Sequence, residues 1–153
     1  MLGTSVEFYF QQLGTARGQA DYLIGEDVIR PGGFRSLSNP DLFGQPDHYS
    51  RFVRTLSDNG GVHTNSGIPN HAFYLAIEGG RNRTSGLTVT GVGGANRDQI
   101  EKVFYRAFTT MLPANARFAT ARAATIQAAR DLYGAGSAAE RAVTEAWTAV
   151  GVF

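Results

Sequence analysis

The sequence predicts a mainly α fold: a helical bundle preceded by a long irregular region. Three observations predict it. Beyond Ser66, apolar residues recur at i, i+3, i+4 and i+7 in successive segments closed by Gly or Pro. From Gly14 to Gly61 that periodicity is missing, and turn clusters follow one another instead: Pro31-Gly32-Gly33, Ser38-Asn39-Pro40, Gln45-Pro46-Asp47 and Asp58-Asn59-Gly60-Gly61. The 153 residues, 42% of them hydrophobic, match one ordinary domain that can bury a sizeable core.

The elements follow in order. Leu2 to Gln12 is apolar and aromatic, with Leu2, Val6, Tyr9 and Leu13 at helical spacing and no capping residue ahead of it. Such a start reads as the remainder of a longer helix over residues 1–13. A loop region as long as 14–65 is unusual in a compact domain and is expected to be functional, ion-stabilised or both. Residues 66–153 form the bundle. Ser66 to Ile77 reads as a helix with Pro69 in its first turn and Gly79-Gly80 past its end. Thr84 to Val92 suits a short strand or an extended loop. Asp98 to Met111 is the clearest helix, with Ile100, Val103, Phe104, Ala107, Phe108 and Met111 on one face and Pro113 as its stop. Ala119 to Tyr133 is an Ala-rich helix closed by Gly134. Ser137 to Val150 is the last, with a capping box of Ser137 and Glu140, a buried stripe through Trp147, and Gly151 at its C-terminal end.

Composition excludes several function classes. Fourteen basic and 13 acidic side chains leave a formal charge of +1, which argues against nucleic acid or a membrane surface as the main partner. No apolar run approaches the roughly 20 residues that span a bilayer. The lack of cysteine removes disulfides, thiolate metal sites and a cysteine nucleophile. No signal-peptide pattern follows Met1.

The candidate chemistry is sparse. His71 reads as a surface histidine on the polar side of its helix, and His48 as a hydrogen-bonding residue of a turn. His63 differs, because it follows Asp58-Asn59-Gly60-Gly61-Val62 and a helix begins just after it. Asp58 can return to accept a hydrogen bond from one ring nitrogen and fix the tautomer. From the residues alone the dyad is the less favoured reading. Glu7, Asp21, Glu26 and Asp27 are acidic residues near loops, which suits an oxygen-loving cation such as calcium. From composition alone a solvated acidic face is the better reading. No HExxH, nucleophile elbow or phosphate-binding Gly-rich loop occurs.

The stretch Asp58-Asn59-Gly60-Gly61-Val62-His63-Thr64-Asn65-Ser66-Gly67-Ile68 closely resembles the C-terminal half of the thermolysin-like zinc metallopeptidases, the bacterial neutral proteases. Other segments agree in order: Val6-Glu7-Phe8-Tyr9, Ile24-Gly25-Glu26-Asp27-Val28, Arg35-Ser36-Leu37-Ser38-Asn39-Pro40, Pro46-Asp47-His48-Tyr49-Ser50, Val103-Phe104-Tyr105-Arg106-Ala107, Asp131-Leu132-Tyr133-Gly134 and the ending Ala149-Val150-Gly151-Val152-Phe153.

The resemblance implies the helical bundle of that C-terminal domain type and a set of roles. His63 would hydrogen-bond the developing oxyanion of the tetrahedral intermediate, and Asp58 would orient it. Arg35 would hold a substrate carbonyl on the primed side. Ile24, Val28 and Phe34 would line the apolar primed pocket, where the family usually has Leu at the Phe34 position. Glu7, Asp21 and Glu26 match carboxylates of a double-calcium cluster. Leu23 stands where the two-calcium members are acidic, the loop from Phe10 to Ala20 is longer than in thermolysin, and an aspartate of the cluster belongs to the other half. At most one calcium is therefore expected. The family's zinc ligands and general base lie upstream, so the expectation is the oxyanion-side half of a secreted protease, inactive by itself. Its implied partners are a peptide or protein substrate and the N-terminal half of the protease. A non-catalytic module that binds peptides or self-associates is the alternative.

Overall fold

The computed structural model describes residues 2–14, 20–26, 29 and 32–153, with the backbone alone for Leu2 and Gly3. Six α-helices appear among them: α1 (Leu2–Gln12), α2 (Asp58–Asn65), α3 (Gly67–Glu78), α4 (Arg97–Arg106), α5 (Phe118–Tyr133) and α6 (Ala138–Ala149). Two antiparallel ladders accompany them. β1 (Leu23–Ile24) pairs with β2 (Arg35–Ser36), and β3 (Gly80–Arg81) pairs with β4 (Thr88–Val89). The expected mainly α bundle is thus the fold observed. The irregular region is better ordered than its composition suggested, because β1, β2, two 3₁₀ turns and α2 lie within it.

The core is the stack of α3 on α6, α6 on α5 and α5 on α4. Small residues allow the close approach: Ala121, Ala124, Ala128 and Ala129 on α5, with Ala139, Ala142 and Ala146 on α6, are all buried. The one tryptophan, Trp147, is fully buried and stacks on Phe104 at 6.3 Å. Its indole N–H donates to Thr125 Oγ1 at 2.8 Å, so the polar end of a large apolar residue is satisfied inside the core.

The helix ends follow from local chemistry. α4 continues into a π-turn over Ala107–Met111, closed by the Leu112 N–H on the Ala107 carbonyl, before Pro113 stops it. At the start of α6, Ser137 Oγ accepts the Glu140 N–H. The reciprocal half of the box is displaced by one residue, because Glu140 accepts from Gly136 N–H and from Arg130. At its end, Gly151 N–H reaches Thr148 O and Val152 N–H reaches Trp147 O, the two bonds of a Schellman motif.

His71 departs from the sequence reading. It is only 5% exposed, and its Nδ1–H donates to the Leu37 carbonyl at 2.9 Å. The reason lies in the place of α3: residues from Gly67 to Ile77 are almost all buried, since the segment after β2 covers the side that periodicity assigned to solvent. α1 shows the opposite. Its stripe of Val6, Tyr9 and Phe10, with Leu13 just beyond, remains about half exposed. Among the described residues no helix is long and apolar enough to cross a membrane.

Candidate active site

The Asp58-Asn59-Gly60-Gly61 sequence dictates the geometry of the site. All four residues have positive φ, at 54, 48, 86 and 78°. A left-handed turn costs an ordinary L-residue on the order of 1–2 kcal/mol, and Asp, Asn and Gly are the residues that tolerate it best. The chain then resumes a right-handed turn, so α2 opens with one hand and closes with the other. The reversal folds Asp58 back over His63.

The Asp58 carboxylate grips His63 at two points. Oδ2 accepts the His63 backbone N–H at 2.9 Å, and Oδ1 accepts from the ring Nδ1. These bonds, the ring bond foremost, hold the Asp58 carboxyl below the usual carboxylate range. With Nδ1 committed, the ring has one nitrogen to offer, Nε2. The His63 side chain is 79% exposed and that of Asp58 32%, so the base of the ring is anchored while Nε2 is open to a ligand.

Arg35 reaches the same junction from β2. Its guanidinium donates to Ser66 Oγ and, at 3.3 Å, to the His63 carbonyl. Ser66 Oγ in turn donates to that carbonyl at 2.6 Å. Ser66 stands at the N-cap of α3, but it makes no side-chain cap bond and its hydroxyl serves this network. Partial burial lowers the Arg35 pKa. Across the ladder Arg35 faces Ile24, and the Phe34 N–H donates to the Ile24 carbonyl at 3.0 Å. The Phe34 ring lies against Gly25, where a Cβ would come within 2.5 Å of it. Asp58, His63, Arg35, Ile24 and Phe34 are therefore all carried by one ladder and one helix junction. Val28 lies outside the described residues.

Two supports escaped the sequence reading. Asn65 is 2% exposed and uses its amide like a strand partner, accepting from Val53 N–H at 2.8 Å and donating to Val53 O at 2.9 Å, with a longer bond to Gly60 O at 3.4 Å. It staples the left-handed turn to the preceding loop. Tyr22, Glu78 and Arg97 form the other support. Tyr22 OH donates to Glu78 at 2.7 Å, and Arg97 donates to Glu78 at 2.8 Å while its guanidinium lies 3.3 Å over the Phe8 ring. This ties α1 and the approach to β1 onto α3 and α4. His48 has the structural part expected of it, its Nδ1 accepting from Ser50 N–H at 3.1 Å.

Glu7, Asp21 and Glu26 converge, with their ligand oxygens all within 4.8 Å of one another. Asp21 Oδ1 also accepts the Leu23 N–H at 2.6 Å. Glu26 Oε2 is buried with no hydrogen-bond partner. A buried carboxylate oxygen left unpaired is costly, and a cation bound by oxygens satisfies it. These residues fit a hard cation such as calcium. They do not fit the catalytic zinc of a metallopeptidase. Among the described residues no other group of three metal-ligating side chains occurs.

Comparison with known proteins places the chain in a family. Residues 1–152 match the family described as thermolysin metallopeptidase, alpha-helical domain. Bacillolysin from Bacillus caldolyticus is 46% identical over 157 aligned residues, covering 100% of this chain and 27% of that protein. Thermolysin from Alicyclobacillus acidocaldarius subsp. acidocaldarius has the same identity and the same coverage. The extracellular elastase of Staphylococcus epidermidis is 47% identical over 136 residues, covering 86% of this chain and 24% of that protein. In structure, the chain superposes on the precursor of protealysin, a metalloproteinase from Serratia proteamaculans, with a TM-score of 0.67 and 33% identity over 95% of this chain and 45% of that one. The chain thus spans about a quarter of the length of the curated relatives it matches, and it belongs to the family of thermolysin metallopeptidase α-helical domains.

Proposed function

We propose that this chain supplies the oxyanion-side half of the active site of a secreted zinc metalloendopeptidase. The observation that carries the reading is the grip of Asp58 on both the backbone N–H and the ring Nδ1 of His63. It leaves Nε2 fixed in direction and exposed. When the ring is protonated, Nε2–H becomes a preorganised donor for an oxygen that gains negative charge, while the Asp58 carboxylate balances the imidazolium. Arg35, held by Ser66 and the His63 carbonyl, directs the guanidinium nitrogens that remain toward a substrate carbonyl on the primed side. Ile24 and Phe34 form part of the wall of an apolar primed pocket, to which the family resemblance also assigns Val28. Phe34 is larger than the usual Leu, so the pocket is shallower or differently shaped.

Zinc ligands and a general base belong to a complementary N-terminal half, and the chain by itself does not hydrolyse peptides. Glu7, Asp21 and Glu26 hold one calcium ion, which ties α1 to the loop bearing Ile24. The test is to compare the purified chain, with zinc supplied, and the same chain joined to an N-terminal half carrying HExxH. Peptide hydrolysis by the joined form alone is the expected result. Stoichiometric zinc and turnover in the separate chain would overturn the proposal.

A second reading, self-association or pairing through an apolar face, is favoured by the half-exposed Val6, Tyr9 and Leu13 of the α1 region. Light scattering over a concentration series tests it. A strictly monomeric chain at high concentration counts against it.

A further inference from the structure

We propose that a cavity between the Ser38–Asn39 segment and the C-terminal turn of α3 binds a small tetrahedral oxyanion, inorganic phosphate or a phosphomonoester. The cavity has a volume of about 280 Å³ and is lined by Ser38, Asn39, His71, Tyr74, Arg81 and Arg83 together with small neighbours. None of His63, Asp58 or Arg35 lines it, so it is separate from the site described above.

Its lining is rich in donors and contains no carboxylate. Arg81 and Arg83 enter no ion pair among the described residues. Arg81 spends only its Nε–H, on the Gly86 carbonyl at 3.0 Å, and keeps its terminal nitrogens. The acids nearest in charge to His71 are committed elsewhere. Asp41 pairs with Arg51 at 2.7 Å, and Asp47 accepts from Thr84 at 2.6 Å and from Arg51 at 3.2 Å. Two guanidinium groups around one small space repel each other unless an anion lies between them.

His71 makes the case specific. It is more than nine-tenths buried, its ring stacks at 5.8 Å on Tyr74, and its Nδ1–H is fixed by the Leu37 carbonyl. Among the described residues Nε2 makes no hydrogen bond, and the ring lines the cavity. A protonated Nε2 donates to an oxyanion. Asn39 adds a buried amide oxygen that also lacks a partner. The O–H of monohydrogen phosphate, which a carboxylate ligand does not carry, satisfies that acceptor. Burial disfavours the His71 imidazolium, as does Arg83, while Asp47 and Asp41 favour it. A bound dianion adds to the favourable side, so occupancy and protonation of His71 rise together.

The test is a titration of the 153-residue chain with inorganic phosphate and, separately, glycerol 3-phosphate, each against chloride at equal ionic strength. The His71 ring resonances are followed by NMR and the heats by calorimetry. The expected result is a saturable shift of the His71 resonances and a rise in its titration midpoint. Affinity should fall on the order of tenfold in Arg83→Gln and in Arg81→Gln, whose side chains are exposed and enter no ion pair among the described residues. Tighter binding of inorganic phosphate identifies the free ion as the ligand, and tighter binding of glycerol 3-phosphate identifies a phosphomonoester. A response no greater than that to chloride, or one unchanged in both arginine variants, would overturn the proposal.

Discussion

Replacing Asn65 with Ala tests the support beneath the site. The amide makes two short bonds to the main chain of Val53, at 2.8 and 2.9 Å, from a side chain that is 2% exposed. Each such bond contributes about 0.5–1.5 kcal/mol, and truncation leaves two main-chain groups to find other partners. A loss of about 2–3 kcal/mol follows, at the upper end of ordinary single substitutions. For a chain of this size, 1 kcal/mol lowers Tm by about 2–4 °C, so the variant should melt roughly 5–10 °C lower. The readout is built in, because the single Trp147 is fully buried and its emission moves to the red on unfolding. The NMR signals of the His63 ring should shift in the same variant, since the left-handed turn is no longer stapled to the preceding loop. A fall in Tm below about 1 °C would refute the reasoning, as it would show that water replaces the amide without cost.

Three further outcomes are expected. Thr125→Val removes the acceptor of the Trp147 indole N–H at nearly constant volume, and urea unfolding should show a loss of about 1–3 kcal/mol. A loss near zero would mean the indole finds another acceptor. Burial first of all lowers the His71 pKa from 6.5, so the unfolded chain takes up the proton before the folded one. Stability should therefore be fullest above that value and decline as the pH falls through it toward the lower folded value, and His71→Gln should flatten this decline. Equal acid slopes in the two proteins would contradict the assignment. Calcium at about 100 times its Kd should stabilise the chain by about 2.7 kcal/mol, and Glu26→Gln should abolish the gain. Equal stabilisation of both proteins would place the ion elsewhere.

The parts legible in the sequence are those written in local chemistry. The periodicity of Ile100, Val103, Phe104 and Ala107 describes α4, Pro113 and Gly134 mark helix ends, and Asp58 through Gly61 encode the left-handed turn through the few residue types that adopt it. The pairing of Asp58 with His63 is legible for the same reason, since the two are five residues apart. Contacts between distant segments are not. Arg35 meets Ser66 across 31 residues and Tyr22 meets Glu78 across 56, and no local pattern announces either. The burial of His71 is not legible, because periodicity assigns its face to solvent while the segment carrying Leu37 covers it. Ser66 reads as a helix start and α3 does begin just after it, but tertiary context turns its hydroxyl to Arg35 and the His63 carbonyl.

The central claim is that His63, oriented by Asp58, stabilises charge on the substrate oxygen. The direct measurement is kcat for His63→Ala in this chain joined to an N-terminal half that carries the zinc ligands. Loss of one preorganised donor predicts a fall on the order of 10²–10³-fold, with Tm and zinc content unchanged. An unchanged kcat in a folded, zinc-loaded variant would contradict the account.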